Sequence, residues 1–274
     1  MWELLQAVVL GIIQGLTEFL PISSSAHLRI YPELFGWGDP GAAFTAVIQI
    51  GTELAVLLYF RKDIWRIATA WLRSLVKPDY RAHLDARMGW FIIFGSLPIV
   101  VLGVLLKDVI EEDFRSLWLI GTTLIVLGLI LGVADRIGRT DKTLKQISLR
   151  DAILMGLAQA MALVPGVSRS GATLSMGRLL GYNREAATRY AFLLAIPAVV
   201  GAGLFELKEI PHGDNTYGWG PTIVATVVSF LVGYAAIAWL LRYVSTNSYA
   251  PFVIYRVLLG AGTLLLVGTG VLNA

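Results

Sequence analysis

The sequence predicts an all-α integral membrane protein with six transmembrane helices and two re-entrant helical hairpins, arranged as an inverted-topology repeat. Three observations predict it. Six apolar runs are each long enough to cross a bilayer, which takes about 20 helical residues. Charge is sparse: of 274 residues, 56% are hydrophobic and 15% charged, against about 25% charged in a soluble domain. The third is a polar block that occurs twice. Gly11-Ile-Ile-Gln14 leads through an apolar stretch to Pro21-Ile-Ser23-Ser24-Ser25-Ala-His27, and Gly156-Leu-Ala-Gln159 leads likewise to Pro165-Gly166-Val-Ser168-Arg169-Ser170-Gly171. Downstream, Leu34-Phe-Gly-Trp37 matches Leu179-Leu-Gly-Tyr182 at the same spacing of 145 as Gly11 and Gly156. Paired broken helices in corresponding positions point to a binding site near the bilayer midplane.

The elements follow in order. Residues 2–20 are apolar and stop at Pro21, which cannot continue a helix. The serines after it can cap a short outgoing helix over 24–35. Spans follow at 42–60, 88–107 and 116–134. The second block repeats the plan, with 151–164 stopped at Pro165 and a short helix over 170–181. The last spans are 186–206, 220–242 and 250–271. Each block reads as a hairpin that enters the membrane and returns to its own side. Non-helical backbone is tolerated there only where protein or water covers it. The chain is a single membrane domain, 1–274, with repeat halves of about 1–135 and 146–274.

Loop charge sets the orientation. Segment 61–87 carries Arg61, Lys62, Arg66, Arg73, Lys77, Arg81 and Arg87, and segment 135–150 carries Arg136, Arg139, Lys142, Lys145 and Arg150. Both are expected in the cytoplasm. Segments 107–115, with four acidic residues, and 207–219 are expected outside. Each half is then one hairpin plus three spans. An odd number of spans inverts the second half, and the two serine blocks meet inside the bilayer. Arg178, Arg184 and Arg189 are expected to face the cytoplasm and the headgroups.

Several chemistries are excluded. There is no cysteine, so thiol nucleophiles and disulfides are out. Three scattered histidines do not build a His-type metal site. The first basic residue is Arg29, so no signal peptide is expected. No nucleic-acid partner is expected.

The residues that carry chemistry cluster at the breaks. Ser168-Arg169-Ser170-Gly171 opens a helix, where backbone N–H groups and the macrodipole favour an anion. The arginine fork suits phosphate oxygens. Ser24 and His27 are three apart and can share a helix face. A serine nucleophile needs a base, and histidine or a carboxylate can serve. Glu18, four residues after Gln14, is an intramembrane carboxylate and so a functional candidate, as general base or hard-cation ligand. Gln14 offers only hydrogen bonds or a carbonyl. Arg256 lies within the last span and needs a partner, phosphate or Glu18 being the candidates. Glu53 is also intramembrane and reads as a structural hydrogen-bonding residue.

Glu18-Phe-Leu-Pro-Ile-Ser-Ser24 with His27, Pro165-Gly-Val-Ser-Arg169-Ser-Gly-Ala-Thr173, and Pro-Phe-Val-Ile-Tyr-Arg256 together resemble the undecaprenyl-pyrophosphate phosphatase family of the bacitracin-resistance type. The resemblance covers essentially the whole chain. It implies Glu18, Ser24, His27 and Arg169 as catalytic residues, and Gln14, Ser25, Ser168, Ser170, Gly171, Thr173 and Arg256 on the substrate. It also implies a divalent cation, Mg or Ca, with Glu18 as its ligand. The family's serine signature often reads Ser-Ser-Thr-Gly-His; the variation here leaves Ser24 and Ser25 as alternatives, and Gln14 stands where a carboxylate is common. The implied reaction is hydrolysis of a polyprenyl pyrophosphate lipid to the monophosphate, at the outer side of the bacterial cytoplasmic membrane, with a role in bacitracin tolerance. The nucleophile stays open between Ser24 and His27, and homo-oligomer formation stays open. A transporter or lipid flippase is the alternative, since inverted repeats with broken helices are transporter architecture.

Overall fold

The computed structural model describes residues 1–106, 116–209 and 215–272. The acidic connection 107–115 and residues 210–214 of the connection 207–219 lie outside the described residues. The described chain is helical, with no strand beyond a single bridge between Lys142 and Tyr182.

Eleven α-helices are described. The first broken pair is α1 (Trp2–Phe19) and α2 (Ser24–Leu34). Then come α3 (Ala42–Tyr59), α4 (Arg61–Val76), α5 (Leu84–Leu105) and α6 (Leu117–Ile137). The second pair is α7 (Leu149–Ala160) and α8 (Arg169–Leu179), followed by α9 (Arg184–Glu209), α10 (Trp219–Val244) and α11 (Ala250–Gly268). Six of them, α3, α5, α6, α9, α10 and α11, are long and apolar enough to cross a membrane. Their outer faces carry Leu129, Val133, Ile223, Val227, Leu231, Leu258 and Leu265, all exposed. Their inner faces bury Thr222, Ser229 and Thr263. Apolar residues outside and small or polar residues inside are what lipid solvent demands.

The contacts pair the two halves. Helix α1 packs on α10 as α7 packs on α5, and α3 also lies on α10 as α9 lies on α5. Helices α6 and α11 pack together, as do α3 and α9. This pattern survives exchange of the halves and is compatible with an inverted repeat. Glycines make the closest crossings. A Cβ on Gly11 would meet the Ala225 carbonyl, and one on Gly156 would overlap the Gly95 carbonyl.

Two expectations are corrected. The basic segment 61–87 is not simply a connection: its first sixteen residues form α4. Ile64, Ile67, Ala68 and Trp71 recur at helical spacing and line a groove with Ile92 of α5 and Leu193 of α9. The charge count masked that apolar stripe. Arg178 does not face the headgroups. It is 0% exposed, paired with Asp135 at 3.2 Å and bonded to the carbonyls of Gly138, Arg139 and Tyr182. Arg184 also binds Asp135, at 2.7 Å, and Arg189 binds Asp63 at 2.6 Å. A buried charge must be paired, and these pairs tie α8 and α9 to the ends of α6 and α4.

Candidate active site

Both chain breaks have the same local build. Ser23 and Ser168 are the two non-glycine residues with positive φ among the described residues, at 74° and 68°. Such strain costs about 1–3 kcal/mol and concentrates at functional sites. Each serine caps the helix it precedes. Ser23 Oγ accepts from Ala26 N at 3.5 Å, and Ser168 Oγ accepts from Gly171 N at 3.2 Å. Each also lies 3.2 Å from a second hydroxyl two residues on, Ser25 or Ser170. The next residues, Ser24 and Arg169, are the first of α2 and α8. The two turns therefore present a hydroxyl and a guanidinium from equivalent positions.

Glu18 joins them. Ser24 Oγ donates to Glu18 Oε2 at 2.7 Å, and Arg169 pairs with Glu18 Oε1. The side chains of Glu18 and Arg169 are 10% and 21% exposed. Gln14 Nε2 donates to Glu18 Oε2 at 3.2 Å and lies 3.3 Å from Thr52 Oγ1. Glutamine thus steadies the carboxylate from α1 and ties it to α3. One turn of α1 separates the two, which is why the four-residue spacing works.

These groups open on a polar cavity of about 170 Å³ lined by Glu18, Ser23, Ser24, Ser25, Gln49, Ser168 and Arg169, with Ile99 and Ala162 as apolar walls. Glu18 and Arg169 also line a second, apolar slot walled by Phe19, Val56, Ala191, Phe192, Ala195 and Val199. The N-termini of two helices, several hydroxyls and an arginine make the cavity suited to a phosphate group.

The other expected residues sit differently. Ser25 is exposed, and its hydroxyl lies 3.5 Å from Gly166 N in the opposite turn. Ser170 Oγ donates to the Leu20 carbonyl at 3.1 Å, so each turn holds the other. Thr173 Oγ1 donates to the Arg169 carbonyl at 2.8 Å and is 0% exposed. The structure does not bring His27 to Ser24. Its Nδ1 lies 2.7 Å from the Ser23 carbonyl and its Nε2 lies 2.7 Å from the Tyr255 hydroxyl. Arg256 meets neither the cavity nor Glu18. It is fully buried and bonded to backbone carbonyls of Pro21, Thr123, Leu124, Gly166 and Val167. Gly171 makes room for it, since a Cβ there would lie 2.8 Å from Arg256 Nη1. Gln49, Thr52 and Tyr255 were not singled out in the sequence. The signal for the first two is polar side chains three apart in an apolar span, one face from Gln14.

No group of three or more metal-ligating His, Cys, Asp or Glu occurs among the described residues. Glu18 is the one carboxylate among the residues that line the cavity. A single carboxylate with hydroxyl and amide oxygens does not make an all-protein calcium cage. It fits the magnesium pattern, in which one or two carboxylates act with substrate phosphates and water.

Comparison with known proteins gives the family. The chain matches the model of the bacitracin resistance protein BacA over residues 7–262. It is 85% identical to the undecaprenyl-diphosphatase of Nocardioides sp. (strain ATCC BAA-499 / JS614), over 100% of both chains. It is 60% identical to undecaprenyl-diphosphatase 3 of Frankia alni, over 98% of this chain and 96% of that one. It is 56% identical to the undecaprenyl-diphosphatase of Micrococcus luteus, over 98% and 99%. With six apolar spans, two serine turns facing one carboxylate and a match over most of its length, this chain belongs to the BacA family of bacitracin resistance proteins.

Proposed function

We propose that this chain is an integral-membrane phosphatase that hydrolyses undecaprenyl pyrophosphate to undecaprenyl phosphate and inorganic phosphate, with Ser24 as nucleophile and Glu18 as its base. The observation that carries the mechanism is the 2.7 Å hydrogen bond from Ser24 Oγ to Glu18 Oε2, with Arg169 on the other oxygen. Glu18 takes the Ser24 proton as Oγ attacks the terminal phosphorus. The bond from that phosphorus to the bridging oxygen breaks, and undecaprenyl phosphate leaves. A water then attacks the phosphoserine, phosphate departs, and the proton returns to Ser24 Oγ. Arg169, the Ser168 hydroxyl and the N–H groups at the start of α2 and α8 hold the charge on the phosphoryl oxygens. Positioning and electrostatics of this kind carry most of phosphoryl-transfer catalysis.

A divalent cation, magnesium by the donor set, would be held by Glu18 together with substrate phosphates, and when bound would neutralise phosphate charge. The loop charges support a cavity that opens to the outer side of the bacterial cytoplasmic membrane. The family supports the phosphatase over the transporter or flippase, and transport has no need of a nucleophile beside a base. Phosphate release from undecaprenyl pyrophosphate by pure protein in detergent is the test; no release above a Ser24→Ala control would defeat the reading.

A further inference from the structure

We infer that Tyr255 and Arg256, consecutive residues of α11, are positioning residues that brace the two serine turns, and that His27 is part of this brace and not of the proton transfer. The inference rests on the phosphatase reading with Ser24 as nucleophile.

The hydrogen bonds around His27 fix its state. A carbonyl oxygen only accepts, so the 2.7 Å contact with the Ser23 carbonyl requires a proton on Nδ1. Nε2 of the neutral ring is then an acceptor, and the Tyr255 hydroxyl donates to it at 2.7 Å. Both nitrogens are committed. The ring is 2% exposed and stacked between Tyr31 and Tyr255, with centroids 5.7 and 5.5 Å away. No lone pair remains for the Ser24 proton, which already points to Glu18. What the ring does hold is the carbonyl of Ser23, the strained residue directly before the nucleophile.

Arg256 holds the other side of the same turn. Nη1 donates to the Pro21 carbonyl at 3.2 Å. Nη2 donates to Gly166 at 2.9 Å and Val167 at 3.0 Å, just before Ser168, and lies 3.4 Å from the Thr123 carbonyl. Nε donates to Leu124 at 3.2 Å. One planar fork thus spans both breaks and α6. Lysine, whose three donors radiate from one atom, cannot replace that reach. Together the two side chains set where Ser24 and Arg169 stand relative to each other.

The test compares His27→Ala, His27→Asn, Tyr255→Phe and Arg256→Lys in purified enzyme, by kcat, KM, pH–rate profile and thermal unfolding. Asparagine can place an N–H near the position of Nδ1, so it can still donate to the Ser23 carbonyl, yet it does not ionise. His27→Ala, Tyr255→Phe and Arg256→Lys should each lower kcat by about 10- to 100-fold, the usual loss for groups that orient a reacting residue. KM and the shape of the pH profile should hold. His27→Asn should recover a large part of the loss seen in His27→Ala. If folded His27→Asn is as inactive as His27→Ala, or loses a limb of the pH profile, His27 carries a proton and the brace is wrong. If Arg256→Lys raises KM alone, Arg256 is a substrate ligand and its part is wrong. Tyr255→Phe removes one oxygen and keeps the test open should His27→Ala fail to fold. Phosphate release by the wild type checks the phosphatase reading separately.

Discussion

Glu18→Gln is the most informative single change at the site. It keeps the side chain's shape and can still hydrogen-bond Ser24, but it cannot take a proton. General-base catalysis is worth about 10²- to 10⁴-fold, or roughly 3–5 kcal/mol of barrier at 1.36 kcal/mol per tenfold. The structure offers no substitute: the Ser24 hydroxyl has its 2.7 Å bond to Glu18, and both nitrogens of His27 are taken. The kcat for phosphate release should therefore fall by about 10³-fold or more. KM is the weaker readout, because freeing Arg169 for the substrate and removing the carboxylate that would hold a cation act in opposite directions. Stability should fall by only about 1–2 kcal/mol, below the 3–5 of a dry buried pair, because Arg169 keeps 21% exposure beside a polar cavity. The assay is single-turnover phosphate release in detergent with a thermal unfolding curve of the same sample. A folded variant with kcat within tenfold of wild type and the same acid limb would refute Glu18 as the base.

Three further outcomes follow from the same geometry. Arg169→Lys should lose about 10²-fold in kcat/KM although the charge is kept, since lysine cannot bind Glu18 and a phosphate with one planar fork; a rate near wild type would show that a point charge suffices. Gly156→Ala, read by thermal unfolding, should destabilise by about 1–3 kcal/mol or more, because its Cβ overlaps the Gly95 carbonyl where α7 crosses α5; an unchanged unfolding temperature would mean the helices part easily. Asp141→Cys in this cysteine-free chain should resist an impermeant thiol reagent in intact cells and react in inverted vesicles; labelling in intact cells would reverse the orientation.

Much of this was legible in the sequence because bilayers impose length and polarity so strictly. The six spans were found within a few residues at most ends, for example 42–60 against Ala42–Tyr59 and 116–134 against Leu117–Ile137. Pro21 and Pro165 marked the breaks, and the serine repeat predicted two turns of one build. Side-chain partners were less legible. Spacing alone put His27 on the face of Ser24, but Ser24 donates across the break to Glu18, while His27 bonds the Ser23 carbonyl and the Tyr255 hydroxyl. An intramembrane arginine needs a partner, and phosphate or Glu18 were the candidates for Arg256; its partners are instead carbonyls of the two breaks and of α6, which sequence does not display. Arg178 was placed at the headgroups, since nothing in its neighbourhood foretold that Asp135 would lie against it. Helix α4 was hidden by its own charge, its apolar stripe being narrow.

The central claim is that Ser24 attacks phosphorus and carries the phosphoryl group. It is tested most directly by rapidly quenching the enzyme in turnover with substrate labelled in the terminal phosphate and mapping the label by mass spectrometry. The account predicts an acid-stable phosphoserine at Ser24 that is absent in Ser24→Ala and accumulates when the water-driven second step is slowed. An acid-labile label on His27, or label at Ser25 with Ser24 unmodified, would contradict it.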